Sequence, residues 1–309
     1  MTTMSTPVLP SWRDGAVRSA VVEFLERAST IPVHKRLACL DNDGTLWCER
    51  PTYVQYDFFV DALTRAVEID PDLRHDRAFE ALLDNDAGAI HELGLPRIAL
   101  ALTSLFEGMP PEEFARRVER FMATSRHASL DRLHKANRYQ PMLELVAELR
   151  RLQFTVAIVT GGGTEFVRAV SQELYGVPPE AVVGTLIEYE YAGESSGPVL
   201  RRSSRLVGGA NEGATKVNNI QTQLGRRPIL AAGNSAGDCE MLEWARLADG
   251  PTLALLIDHD DAEREFAYQS SAVSFADTEP ITELGDRLGW SVVSMAQDWD
   301  TVFVDDGLG

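Results

Sequence analysis

Two aspartates one residue apart, Asp41 and Asp43, follow the short apolar run Leu37–Leu40. If this run is a buried strand and its geometry persists, both carboxylates point the same way, because alternate strand residues share a face. Two like charges this close repel each other unless a cation lies between them or one carboxylate takes up a proton. Mg²⁺ fits an all-oxygen site better than zinc, which prefers His or Cys. An acidic turn at a strand end, followed by Gly44 and Thr45, is the alternative interpretation.

Further polar residues lie at or beside the ends of two later predicted strands. Thr160 and three glycines follow the apolar run 155–159, Asn234 and Asp238 follow the run 228–232, and Lys216 lies on a predicted helix between them. Each feature alone has an ordinary structural interpretation, a permissive turn or a solvated lysine. Ligands bind at the carboxyl ends of parallel strands, so the features together indicate one site.

The elements that must position these residues alternate between strands and helices. An amphipathic helix is predicted over 13–29, and the interval 53–138 has an almost wholly helical pattern. After Pro141, helices separate further apolar strands, and 181–191 with 199–206 has the pattern of a hairpin. Strands separated by helices favour a parallel sheet with right-handed crossovers. We therefore predict an α/β fold, a Rossmann-like parallel sheet flanked by helices, with an inserted all-helical module.

Composition narrows the functional classes. The chain has 309 residues, and its formal charge of −18 argues against a nucleic-acid or anionic-membrane partner. Three cysteines are too few for a disulfide framework and suggest a reducing compartment. No apolar run approaches the roughly 20 residues that span a bilayer, and residues 1–14 lack a signal-peptide pattern. A cytoplasmic protein is the expectation, and the oligomeric state is not readable from the sequence.

The order of these residues resembles the four motifs of the haloacid dehalogenase superfamily, most of whose members are Mg²⁺-dependent phosphatases. Asp41-Asn42-Asp43-Gly44-Thr45 is similar to its DxDGT motif, and Thr160, Lys216 and the loop 233–238 are similar to the later three. The loop sequences are most similar to the phosphoserine-phosphatase-like branch. The resemblance implies a core formed by residues 1–50 and 140–309 and a C1-type helical cap formed by residues 51–139, inserted after the first core strand.

The resemblance also implies a role for each site residue. Asp41 would be the nucleophile, Asp43 the general acid and base, and Lys216 the group that balances charge and orients Asp41. Thr160, Gly161 and Gly162 would hold the phosphate oxygens. Mg²⁺ would be held by Asp41, the Asp43 carbonyl, Asn234 and Asp238. The family pattern has Asp where this chain has Asn234, so that ligand is neutral.

Two positions keep alternative interpretations. Glu49 begins the connection to the helical block, where it would bind a substrate ammonium or be an exposed hinge charge. His259, with Asp260 and Asp261, lies at the active-site edge or at an acidic helix start.

The implied function is a Mg²⁺-dependent phosphomonoester hydrolase that acts on a small phosphorylated metabolite through an aspartyl-phosphate intermediate. A halide-releasing dehalogenase of the same superfamily is one alternative, but such enzymes need neither Asp43 nor Mg²⁺. A non-catalytic phosphate-binding module is the other, although Asn234 is the sole substitution among the expected reactive groups.

Overall fold

A mostly parallel sheet organises the chain. The computed structural model describes residues 8–195, 197–269 and 279–305. Within these ranges one sheet contains the strands β1 (Leu37–Leu40), β2 (Thr155–Gly163), β3 (Val182–Glu194), β4 (Gly197–Val207), β5 (Leu230–Gly233), β6 (Leu253–Asp258) and β7 (Ser291–Ser294). Their order across the sheet is β4-β3-β2-β1-β5-β6-β7, and every neighbouring pair is parallel except β3 with β4. The predicted α/β class and the predicted hairpin are therefore confirmed.

Helices connect the strands. In chain order they are α1 (Ala16–Ala28), α2 (Val54–Ile69), α3 (Arg77–Leu83), α4 (Ala87–Leu93), α5 (Leu95–Ser104), α6 (Pro111–Thr124), α7 (Gln140–Arg151), α8 (Thr164–Tyr175), α9 (Ala214–Leu224), α10 (Cys239–Arg246), α11 (Ile281–Leu288) and α12 (Met295–Asp298). Helices α8 and α9 end at glycines in the left-handed region, Gly176 and Gly225, where the absence of a Cβ removes the steric penalty. Strands β1 and β5 are buried along their whole length, as central apolar strands of a parallel sheet are.

The interval predicted as a cap contains helices α2 to α6, between β1 and β2. Its core is aromatic: the ring of Phe58 stacks on Phe106 at 5.4 Å and meets the edge of Phe114 at 5.6 Å. The same Phe58 ring lies 5.5 Å from Phe166 on α8. Aromatic contacts of this kind add to the apolar area that they bury. The helical block is thus packed against the helix that follows β2.

The structure differs from the sequence prediction in three places. The interval 90–106, predicted as one helix, is divided between α4 and α5 at Gly94, whose φ of +77° ends the first helix. Strand β2 extends beyond the predicted residue 159 because Gly163 pairs with Thr185 of β3. Strand β7, which pairs with β6, was not predicted, since its four residues are too few for a periodic signal.

Some predicted segments lie outside the described residues. They are residues 1–7, 270–278 and 306–309 of the predicted core, and Ser196 of the predicted hairpin turn. In the part of the chain that the structure describes, no helix is long and apolar enough to cross a membrane.

Candidate active site

The carboxyl ends of three central strands bring the predicted site residues to one edge of the sheet. Asp41 and Asp43 follow β1, Thr160 lies within β2, and Asn234 follows β5. Strand β1 pairs in parallel with both β2 and β5. Residues far apart in the sequence therefore meet at the position where parallel sheets bind ligands.

Lys216, in the first turn of α9, joins two carboxylates beneath this edge. The residue is 1% exposed, and its Nζ donates to Asp41 Oδ1 at 2.7 Å and to Asp238 Oδ1 at 2.6 Å. The other oxygen of Asp238 accepts the backbone N–H groups of Asn234 and Ser235, each at 3.1 Å. Burial alone would lower the pKa of Lys216, but the carboxylates of Asp238 and Asp41 outweigh it and raise this pKa overall. The lysine thus keeps its positive charge.

The two aspartates of the first motif differ in their partners. Asp43 Oδ1 accepts from Trp47 Nε1 at 2.8 Å, and Thr160 Oγ1 lies 3.4 Å from Asp43 Oδ2. Burial raises the pKa of Asp43, and the hydrogen bond from Trp47 opposes it. Burial also raises the pKa of Asp41 well above its usual range, with the charge of Asp238 adding and that of Lys216 opposing. Both carboxylates therefore lie where added positive charge would be stabilising.

The glycine run after Thr160 is approached closely by two other side chains. Thr160 Oγ1 accepts the N–H of Gly162 at 2.9 Å, and the N–H of Gly163 donates to Gln55 Oε1 on α2 at 2.8 Å. A Cβ on Gly161 would lie 2.0 Å from Glu212 Oε1. A side chain at that position would displace the Glu212 carboxylate from the glycine run.

Glu49 lies beside Asn234 in a second polar cluster. It is 8% exposed, and its Oε1 accepts from Tyr268 OH at 2.8 Å and from Asn234 Nδ2 at 3.1 Å. The Tyr268 ring stacks on His259 with 4.4 Å between centroids. The interpretation of Glu49 as an exposed hinge charge is wrong, because the cluster buries it. A contact between Glu49 and substrate stays a prediction.

The donor set at this edge fits Mg²⁺. Among the residues that the structure describes, no three His, Cys, Asp or Glu side chains surround a common metal position. Mg²⁺ does not need such a group, since it takes one or two carboxylates and keeps waters or substrate oxygens. Asp41 offers a carboxylate, and Asn234 and the Asp43 carbonyl offer neutral oxygens. Both oxygens of Asp238 already accept hydrogen bonds, so its role as a direct ligand stays a prediction.

Hydrogen bonds link the predicted residues in two groups. One joins Asp41, Lys216, Asp238, Asn234 and Glu49, and the other joins Asp43, Thr160 and Gly162. Sequence reasoning missed Gln55, Glu212 and Tyr268. Glu212 precedes Lys216 by four residues, a spacing with a meaning only once the fold is known, and no local pattern marks the other two. For His259 the sequence allows two interpretations, the edge of the active site or an acidic helix start. Its Nε2 lies 2.9 Å from the Gly44 carbonyl oxygen, at the edge of the site.

Glu212 gives a prediction about stability and pH. Burial raises the pKa of its carboxyl from the ordinary 4.5 to about 7, with Lys216 opposing. Below pH ~4.5 the Glu212 carboxyl is protonated in both the folded and the unfolded state, so it does not change the free energy of unfolding. As pH rises from 4.5 to about 7, the carboxyl ionises first in the unfolded state, so the folded protein loses stability. Glu212→Gln should therefore raise Tm at about pH 8 and leave it unchanged at about pH 4.

Thermal unfolding of the metal-free protein across this pH range measures the effect. Glu240→Gln, at an exposed position on α10, is the matched control and should leave Tm unchanged at both ends. An equal gain in Tm at acid and alkaline pH for Glu212→Gln would contradict the assigned cause.

Comparisons with known proteins give one family match and several structural similarities. The family model described as haloacid dehalogenase-like hydrolase matches residues 38–243. No curated protein sequence matches the chain. A solved protein of unknown function from Anaerococcus prevotii DSM 20548 is 14% identical with a TM-score of 0.58, covering 94% of each chain. One from Bordetella pertussis Tohama I is 18% identical with a TM-score of 0.52, covering 84% of this chain and 98% of its own.

A third solved structure, a probable phosphoserine phosphatase from Vibrio cholerae, is 18% identical with a TM-score of 0.41. The similarity covers 84% of this chain and 69% of that one. At these identities, the Anaerococcus and Bordetella structures are evidence for the fold alone. The family match spans all four motifs predicted from the sequence.

Proposed function

The chain belongs to the haloacid dehalogenase-like hydrolases, and we propose that it is a Mg²⁺-dependent phosphomonoesterase that acts through an aspartyl-phosphate intermediate. The main support is the contact between Asp41 Oδ1 and the buried Lys216 Nζ, at 2.7 Å. Lys216 opposes the rise in the pKa of Asp41 that burial and the charge of Asp238 cause, and so favours the ionised form. An ionised carboxylate at a ligand-binding sheet edge is a competent nucleophile for a covalent intermediate.

In the first step, Asp41 attacks the phosphorus atom and the bond to the ester oxygen breaks. The phosphoryl group passes to the carboxylate, and the alcohol leaves with a proton. Asp43 donates that proton, because burial raises its pKa and makes the protonated form more available. In the second step, Asp43 removes a proton from water, which attacks the aspartyl-phosphate and releases inorganic phosphate. General acid and base help of this kind contributes about 10²–10⁴-fold.

The phosphoryl oxygens need compensating charge throughout. Mg²⁺, held by Asp41, the Asp43 carbonyl and Asn234, would supply a Lewis acid that neutralises charge on the phosphate. Lys216 balances the charge of Asp41, and Asp238 fixes Lys216 from the other side. Thr160 and the N-terminus of α8 offer hydrogen-bond donors and a favourable dipole to the remaining oxygens. Asn234 contributes an amide oxygen, which Mg²⁺ accepts as a ligand.

The helical block formed by α2 to α6 acts as a cap over this edge. Gln55 Oε1, in the first turn of α2, accepts the N–H of Gly163. The helical block therefore contacts the glycine run that follows Thr160. Movement of the block would admit substrate and then exclude water, as lids do. The substrate is a small phosphorylated metabolite, and the loop sequences favour the phosphoserine-phosphatase-like branch. Three free cysteines support a cytoplasmic location, and the charge of −18 argues against nucleic acid and membrane partners.

Removal of the metal tests the proposal. Hydrolysis of an aryl phosphate should require Mg²⁺, with activity lost on addition of a chelator and restored by excess Mg²⁺. Release of inorganic phosphate measures this turnover, and Ca²⁺ in place of Mg²⁺ is the control for non-specific effects of a cation. Equal turnover with and without Mg²⁺ would contradict a metal-dependent phosphatase. Release of halide from a haloacid without phosphatase activity would favour the dehalogenase instead.

A further inference from the structure

Both branches of the Asn234 amide have hydrogen-bond partners, and the shorter bond is the one that its nitrogen donates. Its side chain is 1% exposed, and Nδ2 donates to Glu49 Oε1 at 3.1 Å. Thr45 Oγ1 lies 3.4 Å from the other branch of the amide, Oδ1. If the amide were reversed, Oδ1 would face the Glu49 carboxylate and two acceptors would repel each other. Glu49 therefore favours this orientation of the amide, together with Thr45 and with His259 Nε2, which lies 3.4 Å from Nδ2.

A residue in the segment after β6 donates a hydrogen bond to the Glu49 carboxylate and restricts its position. Tyr268 OH donates to Glu49 Oε1 at 2.8 Å, and the Tyr268 ring stacks on His259. The two ring nitrogens of His259 lie 2.9 Å from the Gly44 carbonyl oxygen and 3.3 Å from Glu265 Oε2. A carboxylate that accepts a hydrogen bond from the hydroxyl of a stacked ring has little freedom to rotate.

Gly44 leaves the space in which Asn234 and Glu49 meet. A Cβ at this position would lie 1.9 Å from Asn234 Nδ2 and 3.0 Å from the carboxyl carbon of Glu49. The φ of Gly44 is +71°, a conformation that side chains rarely adopt. Gly44 thus makes room for the pair directly, and it also forms the turn that follows the two aspartates.

The neutral amide at position 234 can donate to the Glu49 carboxylate, which the aspartate of the family pattern could not do. A carboxylate at position 234 would face the Glu49 carboxylate across the 3.1 Å now bridged by Nδ2, and like charges this close are unfavourable. We propose that Glu49 is a positioning residue that orients the Asn234 amide toward the metal. From its place behind Asn234, Glu49 also supplies the negative charge that the amide lacks. This inference rests on the proposed Mg²⁺-dependent function.

Mg²⁺ binding to the metal-free protein, measured by calorimetry without substrate, tests the pair. Glu49→Gln keeps a hydrogen-bond acceptor but removes the charge, and should weaken Mg²⁺ binding about 10-fold, as loss of a residue behind a ligand typically does. Asn234→Asp alone should lower the Tm of the metal-free protein by about 3 °C, because two buried carboxylates then face each other. The exchanged pair, Glu49→Gln with Asn234→Asp, should restore Tm and bring Mg²⁺ affinity back to within about threefold.

The outcomes separate this inference from the proposed function. Normal Mg²⁺ binding with unchanged affinity in Glu49→Gln would overturn the inference alone, and so would an exchanged pair whose change in Tm is only the sum of the two single changes. A protein that binds no Mg²⁺ and hydrolyses no phosphate ester would overturn the proposed function as well.

Tyr268→Phe is a second variant that keeps the test decisive if Glu49→Gln does not fold. It removes the hydroxyl donor to Glu49 and keeps the ring that stacks on His259. Reduced Mg²⁺ affinity with a normal unfolding transition would support the pair, and unchanged affinity would overturn it.

Discussion

Replacing Asp41 by Asn is expected to lower phosphate ester turnover by about 10⁴-fold or more, because an amide cannot form the acyl phosphate. The fold should persist. Lys216 keeps Asp238 as a charged partner at 2.6 Å, and the amide oxygen at position 41 can still accept from Nζ. Since burial disfavours the charge on Asp41, the neutral variant should have a Tm at least equal to that of the unaltered protein.

Steady-state turnover of an aryl phosphate, together with thermal unfolding, measures both parts of this prediction. Asp61→Asn, on α2, is the control: Asp61 forms an ion pair with Arg65 on the helix surface, so its loss should leave turnover unchanged. Normal turnover in Asp41→Asn would remove the nucleophile assignment. A collapsed Tm would mean that the loss of activity reports misfolding.

Replacing Asp43 by Asn should reduce turnover by about 10²–10⁴-fold, and by a factor that depends on the leaving group. Protonation of the leaving oxygen matters most for alkyl phosphates, whose alcohols are poor leaving groups. An activated aryl phosphate should therefore lose less in the first step. Trp47 Nε1 can still donate to the amide oxygen, and the amide nitrogen can donate to Thr160 Oγ1, so the site should keep its geometry.

A series of phosphate esters with graded leaving groups measures this dependence as a slope of log kcat/KM against leaving-group pKa. The slope should be steeper in Asp43→Asn than in the unaltered protein. An equal loss across the whole series would indicate that Asp43 supports the site structurally or through the metal, and not as the proton donor.

The fold was largely predictable because its signals are local. The apolar runs of β1, β5 and β6 and the helical periodicity between them follow from burial, and their alternation leads directly to a parallel sheet. Gly94 is among the breaks that the sequence predicts, but apolar spacing continues on both sides of it, so the interval 90–106 has the pattern of one helix. The extension of β2 through its glycines depends on pairing with Thr185, which is a contact between distant residues.

The candidate site was predictable where chemistry is carried by residues at strand ends. Asp41, Asp43 and Thr160 could be grouped from the sequence because parallel strands end at a common edge. The environment of Glu49 could not be predicted, since its partners Asn234 and Tyr268 are 185 and 219 residues away in the sequence. Glu212 was likewise missed, because its proximity to Gly161 arises from the packing of the segment before α9 against β2.

Direct detection of the covalent intermediate tests the central claim. The protein is quenched with acid during turnover of an aryl phosphate, digested, and examined by mass spectrometry. A parallel sample is reduced with borohydride, which releases the phosphate from an acyl phosphate and leaves a primary alcohol at the modified residue. We expect one phosphoryl group in the unreduced sample, on the peptide that contains Asp41. It should be absent from Asp41→Asn and enriched when Asp43→Asn slows hydrolysis of the intermediate. A phosphoryl group on another residue, or rapid turnover with an unmodified Asp41 peptide under every quench condition, would contradict it.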